Sequence, residues 1–184
     1  MKALSGSIET TALGASRLQA TDVVLFLDFD GVLHPDDVYR TRHGLELRAP
    51  GALMMHAPLL VELLEDFPTV KIALSTSWVR LLGYRRARAA LPPELQLRTV
   101  GSTWHSRMAR APFEGYDLQS RYQQIRAAAG RAGLTRWIAL DDDPFESRPA
   151  HDSRLIRCDP ELGLSWVPTQ NELRAKLKAL IEPV

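Results

Sequence analysis

Aspartates follow two apolar runs of the chain, and hydroxyl residues follow a third. The run VVLFL leads into DFDG at positions 28–31, RWIAL leads into DDD at 141–143, and VKIAL leads into STS at 75–77. Nearly continuous apolar runs of this length are typical of strands buried on both faces, as in a parallel sheet covered by helices. Because ligands bind at the carboxyl ends of such strands, these polar residues are predicted to meet at one edge of the sheet.

An edge of this kind would collect four or five carboxylates opposite a group of hydroxyls. Like charges a few ångströms apart cannot all stay ionised without a cation. Oxygen ligands favour a hard ion, and Mg²⁺ with several retained waters fits such a site. A metal-bound acidic site beside Ser and Thr donors suits phosphoryl transfer. A single Asp after a strand usually ends a turn or caps a helix, but caps do not explain DxDG and DD together.

The same residues resemble the motifs of the haloacid dehalogenase (HAD) superfamily. DFDGVLHP resembles its first motif, LSTS its second and IALDDD its fourth, in the expected order over about positions 23–163. The contexts STSW, DDDP and GLSW are also similar to the compact HAD domains of bacterial RNA-repair proteins. The resemblance implies a parallel sheet with the first strand at its centre.

The resemblance also implies a magnesium-dependent phosphatase that works through an aspartyl-phosphate. Asp28 would be the nucleophile, and Asp30 would be the general acid and then the general base. The Asp28 carboxylate, the Asp30 backbone carbonyl and Asp141 would hold Mg²⁺, with Asp142 binding it directly or through water. Superfamily members that displace halide lack the second Asp, so Asp30 favours a phosphorylated substrate.

The resemblance also implies which residues after the first and second strands would bind the substrate. Thr76 would donate to the phosphoryl oxygens, although Ser75 is an equally acceptable match to the second motif, and Ser77 lies beside them. Gly31 would let the chain turn sharply next to the ligand. His34 is interpreted as a loop residue near the site rather than a metal ligand.

The superfamily's third motif is a Lys or Arg that neutralises the charge of the transition state. No Lys occurs between Lys71 and Lys176, and Arg121 is the best match. An Arg keeps the positive charge and adds a planar fork of donors. The alternative for Arg121 is an ordinary solvated residue on a helix.

Alternating strands and helices predict an α/β fold, a doubly wound, three-layer, Rossmann-like parallel sheet that is HAD-like and has no large cap domain. Residues 1–20 are predicted to be a flexible lead-in, and 21–184 a single HAD-like hydrolase domain. The last helix is predicted to begin with a capping box of Thr169 and Glu172. Strands are expected at 23–30, 70–75, 95–100, 136–141 and 154–158, and helices at 58–67, 78–91, 117–132 and 169–181.

The segments that could carry a cap are short. Positions 31–67 have room for a hairpin at 38–48 and one helix, and 101–116 add about fifteen residues. An uncapped site accepts bulky or polymeric phosphoesters.

Positions 80–110 form an Arg-rich segment, which contains seven Arg and one acid, with Tyr84, Trp104 and His105 interleaved. Such a segment could track a nucleic-acid backbone, or it could be a solvated helix paired with acids elsewhere.

Composition limits the class of protein. The 184 residues are 45% hydrophobic and 24% charged, and 23 basic residues nearly balance 22 acidic ones. One Cys excludes an internal disulfide and a Cys-rich zinc site. No apolar stretch is long enough to span a bilayer, and the first twenty residues lack a signal-peptide pattern. We therefore expect a cytoplasmic protein without a membrane partner. The oligomeric state is not indicated.

Functions other than a phosphatase of bulky or polynucleotide substrates are also compatible with this fold. A small-metabolite or nucleotide phosphatase, or a catalytically idle HAD-like binding module, would keep the same fold. A signalling receiver would place its acidic pair after the first strand, which this chain does not do. The GxxxxGK[ST] and GxGxxG patterns of nucleotide-binding folds are missing.

Overall fold

The computed structural model describes residues 18–109, 115–144, 148–149 and 152–182. Residues 1–17, most of the predicted lead-in, lie outside this part of the chain, and the predicted domain division stays a prediction. Within the described residues the strands are β1 (Val23–Leu27), β2 (Val38–Thr41), β3 (Gly44–Leu47), β4 (Val70–Leu74), β5 (Thr99–Ser102), β6 (Arg136–Asp141) and β7 (Leu155–Arg157). The α-helices are α1 (Ala57–Glu65), α2 (Trp78–Leu82), α3 (Tyr84–Ala89), α4 (Pro93–Arg98), α5 (Arg121–Ala132) and α6 (Val167–Ile181). Short 3₁₀ turns occupy Ser106–Ala109, Tyr116–Leu118 and Gly163–Ser165.

Five strands form one parallel sheet in the order β5-β4-β1-β6-β7, with β1 at the centre. Side chains of β1 alternate between two hydrophobic clusters, one on each face of the sheet. Leu25 and Leu27 pack with residues of α1, α2, α3, α4 and α6, whereas Val24 and Phe26 pack with α5. The predicted three-layer α/β fold is therefore confirmed.

The predicted strand at 95–100 is wrong in its first half. Residues Pro93–Arg98 form α4, and β5 begins only at Thr99. Pro93 opens the helix with a fixed φ, and Glu94 places a negative charge in its first turn. Leu95 is buried and Leu97 is exposed. Residues two apart lie on opposite faces of a helix but on the same face of a strand, so this pair of exposures fits the helix and not the predicted strand.

Two predicted helices are shorter or broken. The helix expected at 78–91 divides into α2 and α3 at Gly83, whose φ of 86° and ψ of 152° are not helical. The helix expected at 117–132 begins at Arg121, after a 3₁₀ turn that leaves Leu118 exposed.

The capping box lies on a different helix from the one expected. α6 begins at Val167 with Pro in its first turn, so Thr169 is already inside the helix and buried. At α5, the Ser120 side chain accepts from the Gln123 backbone N–H, and the Gln123 side chain accepts from the Ser120 backbone N–H. Both N-terminal donors are satisfied, which fixes where this helix begins.

The hairpin expected at 38–48 is confirmed as the antiparallel pair of β2 and β3. In the described residues, this hairpin and 3₁₀ turns are the elaborations near the carboxyl edge of the sheet, and no large cap domain is present. Among the helices described, none is long and apolar enough to cross a membrane.

Candidate active site

The register of the sheet brings the ends of three strands together. Leu27 of β1 is paired with Leu74 of β4 and with Leu140 of β6. The next residue of each strand is therefore Asp28, Ser75 or Asp141. Backbone hydrogen bonds continue into this row, from Asp28 N to Leu140 O and from Ser75 N to Leu27 O. The sheet thus places Asp28 between a hydroxyl residue and an aspartate.

Asp28 is buried, and each of its oxygens is held. Oδ1 accepts from the Phe29 backbone N–H at 2.7 Å, and Oδ2 accepts from the Arg121 guanidinium at 3.0 Å. Burial raises the pKa of Asp28, and the charge of Arg121 and hydrogen bonds from Phe29 and Thr76 oppose that rise. The carboxylate is fixed in orientation by donors and is removed from bulk water.

Arg121 joins the three strand ends. Besides Asp28, its guanidinium donates to the Ser75 carbonyl and lies 3.1 Å from Asp141 Oδ2. It is the first residue of α5 and directly follows the N-cap residue Ser120. The start of that helix therefore determines where the guanidinium lies. The charges of Asp28 and Asp141 outweigh burial and raise the pKa of Arg121 above its ordinary value. The structure excludes the alternative of an ordinary solvated helix residue.

Asp28, Asp141 and Asp142 form an acidic cluster whose ligand oxygens lie within 4.8 Å of one another. Burial and the charge of Asp28 raise the pKa of Asp141 well above its ordinary value. Burial, followed by the charges of Asp28 and Asp36, raises the pKa of Asp142 to about 7. Since burial and mutual repulsion both oppose ionisation, the cluster needs compensating positive charge beyond Arg121.

The donor set of this cluster fits Mg²⁺. All three ligands are carboxylate oxygens, which suit a hard ion. Asp141 Oδ1 accepts from the Asp143 backbone N–H, but Oδ2 is buried and accepts no hydrogen bond among the described residues. Arg121 Nε is close to Oδ2, yet its N–H is not aligned on that oxygen. A bound cation would satisfy this oxygen.

Gly31 links the first motif to the acidic cluster. Its φ is 65°, and a Cβ built on it would lie 2.5 Å from Asp142 Cγ. Any side chain at this position would be strained and would displace Asp142. The structure therefore places Gly31 against a predicted metal ligand, and its predicted role in substrate binding stays a prediction.

The hydroxyls at 75–77 have three different environments. Thr76 is buried, its hydroxyl lowers the pKa of Asp28, and it accepts from the Trp78 backbone N–H. Ser75 is buried, and its hydroxyl has no hydrogen-bond partner among the described residues. Ser77 is exposed and donates to Asp30 Oδ2 at 3.4 Å. The contact with Asp28 favours Thr76 over Ser75 as the hydroxyl of the second motif.

Asp30 lies beside the acidic cluster rather than in it. Its carboxylate contacts His34, Trp78 and Ser77. Sequence reasoning placed His34 near the site but did not pair it with Asp30, although a spacing of four residues after a strand was a usable signal. No local feature of the sequence shows that the Trp78 indole N–H reaches Asp30.

A second residue that sequence reasoning missed is Gly163. Its φ is 53°, and a Cβ would lie 2.5 Å from the Val32 carbonyl oxygen. The next residue, Leu164, donates its backbone N–H to that same oxygen at 2.9 Å. The GLSW segment therefore supports the turn that follows Asp30.

Comparison with known families matches residues 24–167, most of the chain, to the family described as the HAD domain in Swiss Army Knife RNA repair proteins. No curated protein and no solved structure matches the chain significantly. The matched region contains all three strand ends, the acidic cluster and Arg121. The chain thus belongs to the family of HAD domains of Swiss Army Knife RNA repair proteins, and with it to the HAD-type hydrolases.

Proposed function

We propose that this protein is a magnesium-dependent phosphatase that hydrolyses a phosphomonoester through an aspartyl-phosphate on Asp28. One observation carries the proposal. Asp28 is a buried carboxylate between Arg121 and two further aspartates whose oxygens lie within 4.8 Å. A nucleophile, a fixed cation and a metal-ligand set thus lie together at one edge of the sheet, which is the combination that phosphoryl transfer requires.

In the first half-reaction, an Asp28 oxygen attacks phosphorus and the bond to the leaving oxygen breaks. Asp30 donates its proton to that oxygen, so the alcohol leaves neutral. Arg121 and Thr76 hold the Asp28 carboxylate in place. Asp28, Asp141 and Asp142 would hold Mg²⁺, which would supply positive charge to neutralise the phosphoryl oxygens.

In the second half-reaction, water attacks the phosphorus of the aspartyl-phosphate. Asp30, now ionised, takes a proton from that water as the oxygen–phosphorus bond forms. Asp28 leaves as a carboxylate, and inorganic phosphate is released. Asp30 is then protonated again, so the two half-reactions together consume one ester and one water.

We further propose that the substrate is a polynucleotide with a terminal phosphate. The family consists of HAD domains of RNA repair proteins, and no large cap covers the site in the described residues. Arg85 and Arg86 are exposed on α3, close in sequence to the second motif. We also propose a cytoplasmic location, where a free thiol such as the buried Cys158 stays reduced.

Some Arg residues of the segment at positions 80–110 stabilise the fold and are not available to a substrate. Arg88 donates to the Gln96 carbonyl through two nitrogens. Arg98 donates to the carbonyls of Leu64, Phe67, Pro68 and Val70 around the end of α1. The Arg107 side chain and Arg110 lie outside the described residues. In the described part of positions 80–110, Arg85 and Arg86 are therefore the exposed charges proposed to meet a polyanion.

The test is hydrolysis of 4-nitrophenyl phosphate with Mg²⁺, with a chelator, and by the Asp28→Asn variant. Turnover should require Mg²⁺ and should be lost in the variant, because the amide keeps the shape of the side chain but is not a nucleophile. Undiminished turnover by Asp28→Asn would refute the assignment of the nucleophile.

A further inference from the structure

The Asp30 carboxylate is held asymmetrically. Oδ1 lies 3.1 Å from His34 Nε2 and 3.0 Å from the Trp78 indole nitrogen. Oδ2 shares the same indole N–H at 3.1 Å and has a longer contact of 3.4 Å with the exposed Ser77 hydroxyl. Oδ1 is therefore directed toward the protein, and Oδ2 is the less tightly bound oxygen on the side of Ser77.

The protonation pattern of His34 follows from its two neighbours. Its ring is fully buried, and Nδ1 accepts from the Met54 backbone N–H at 3.3 Å. Because Nδ1 is an acceptor, the neutral ring carries its proton on Nε2 and donates it to Asp30. Met54 has a φ of 63°, which is rare for a residue with a side chain. The backbone that orients His34 is thus held in an uncommon conformation at the edge of the site.

Trp78 is fixed by packing as well as by its hydrogen bond. Its ring is buried and makes an edge-to-face contact with Phe29, with centroids 5.4 Å apart. The His34 ring lies 5.7 Å away on a tilted plane. A buried indole can turn little in such surroundings, so its N–H is a preorganised donor.

We propose that His34 and Trp78 are positioning residues that hold Oδ1 of Asp30, so that Oδ2 delivers the proton to the leaving oxygen. This inference rests on the proposed function, because it assigns a partner to the general acid of that reaction. Oδ2 gives up its proton as the bond from phosphorus to the leaving oxygen breaks, and later takes one from the attacking water. His34 contacts Oδ1, and the Trp78 indole N–H lies close to both oxygens, so both residues act on the substrate through Asp30.

The test compares two esters that depend differently on the general acid. Phenyl phosphate has a poor leaving group that needs protonation, whereas 4-nitrophenyl phosphate needs much less help. The quantity to measure is kcat/KM, which covers the steps up to phosphoryl transfer. Trp78→Phe removes the indole N–H but keeps an aromatic ring, and His34→Leu removes both ring nitrogens.

Both variants should lower kcat/KM for phenyl phosphate about tenfold, part of the roughly 10²–10⁴-fold that positioned acid–base catalysis contributes. The kcat/KM for 4-nitrophenyl phosphate should fall far less. His34→Gln should recover much of the loss, because its amide N–H reaches the position of Nε2. The control Trp137→Phe truncates a buried Trp on β6 and should change neither ester's rate.

The Asp30→Asn background separates positioning from general damage to the fold. If His34 and Trp78 act through Asp30, substituting them in the Asp30→Asn variant should lower kcat/KM no further, because residue 30 can no longer donate the proton. Equal losses for both esters, or losses that add to that of Asp30→Asn, would overturn the inference and leave the proposed function intact. An Asp30→Asn variant with full activity on phenyl phosphate would overturn the general-acid role of Asp30, and with it this inference, whereas the Asp28→Asn variant tests the nucleophile separately. If Trp78→Phe does not fold, the two His34 variants give the same comparison.

Discussion

At the scale of single residues, the site is organised around one cation that is shared by three strands. Arg121 contacts Asp28, the Ser75 carbonyl and Asp141, which follow or end β1, β4 and β6. Its planar fork reaches several acceptors at once, which a single ammonium group cannot do. Neutralisation of Asp28 and orientation of its carboxylate are therefore the work of the same side chain.

Substitution of Arg121 tests both roles. Arg121→Met should lower kcat about 10²-fold or more, the usual effect of removing one preorganised donor from a charged site. Arg121→Lys keeps the charge but not the fork, and should retain intermediate activity. The measurement is steady-state hydrolysis of 4-nitrophenyl phosphate at saturating Mg²⁺. A fully active Met variant would exclude Arg121 from the reaction.

The pKa of Asp142 predicts how metal-free stability depends on pH. Its folded-state value of about 7 lies above the ordinary aspartate pKa of about 4. Between those values the folded protein holds a proton that the unfolded chain has released, so stability falls as pH rises through this window. Asp142→Asn cannot ionise, so the variant does not lose stability in this way. In a chelator, the variant should unfold at a higher temperature than the wild type at about pH 8 and at a similar temperature near pH 4.

Thermal unfolding with and without Mg²⁺ measures this effect. Added Mg²⁺ should stabilise the wild type at about pH 8, where its ligands are ionised, and should stabilise Asp142→Asn much less. A variant that is no more stable than the wild type at the higher pH would contradict the electrostatic description of the cluster.

At the scale of elements, pairing register and one helix start build the site. The register of β1 with β4 and β6 aligns Asp28, Ser75 and Asp141, and the capping box of α5 places Arg121 beside them. The turn of the first motif is held from the other side by Asp142 and by the GLSW segment. Substitutions that disturb these elements should alter activity without touching a reacting atom.

Ser120→Ala tests the helix start. Loss of an N-cap side chain costs about 1 kcal/mol, which corresponds to about 2–4 °C in Tm for a protein of this size. Because Arg121 is the next residue, kcat should fall as well, whereas Ser120→Thr should preserve both. Loss of stability with unchanged kcat would show that the capping box does not position Arg121.

Gly31→Ala tests the contact between the first and fourth motifs. The added methyl group would overlap Asp142, so Mg²⁺ affinity and kcat should both fall sharply. Gly44→Ala is the matched control, because it also strains a positive φ but meets no atom within 4 Å. Equal effects of the two substitutions on Mg²⁺ affinity would attribute the loss to backbone strain alone.

Much of this arrangement could be predicted from the sequence, because the three apolar runs lead directly into the residues of the site. The remainder depended on ambiguous or distant information. The segment LQLR fits one helical turn as well as a strand. A Gly inside a helical pattern can either continue or interrupt the helix, so the break at Gly83 could not be predicted from the residue type. The bond between Trp78 and Asp30 spans 48 positions and exists only after the sheet has formed.

At the scale of the whole molecule, charge and openness bear on the substrate. The basic and acidic totals nearly cancel, so attraction of a polyanion must depend on local charge. Arg85 and Arg86 are exposed, whereas Arg88 and Arg98 are bonded to backbone carbonyls. A test of nucleic-acid binding should therefore remove the first pair and leave the second in place.

A phosphorylated ten-mer should be a better substrate than the matching mononucleotide, and its advantage should fade with salt because phosphate contacts release counterions. Arg85→Gln/Arg86→Gln should raise KM for the ten-mer and leave 4-nitrophenyl phosphate hydrolysis unchanged. The control pair Arg126→Gln/Arg136→Gln removes equal charge, with Arg136 at the opposite edge of the sheet. Equal kcat/KM for ten-mer and mononucleotide at low salt would indicate a small-molecule phosphatase.

The central claim is that the phosphoryl group passes through Asp28, and the phospho-enzyme itself is the most direct evidence. Asp30→Asn should slow dephosphorylation, so the intermediate should accumulate when this variant is mixed with Mg²⁺ and 4-nitrophenyl phosphate. After an acid quench, peptide mass spectrometry should find one phosphoryl group on Asp28, and none without Mg²⁺ or when Asp28→Asn is added. A phosphoryl group on another residue, or turnover by the wild type with no phosphorylated peptide in any variant, would contradict the account.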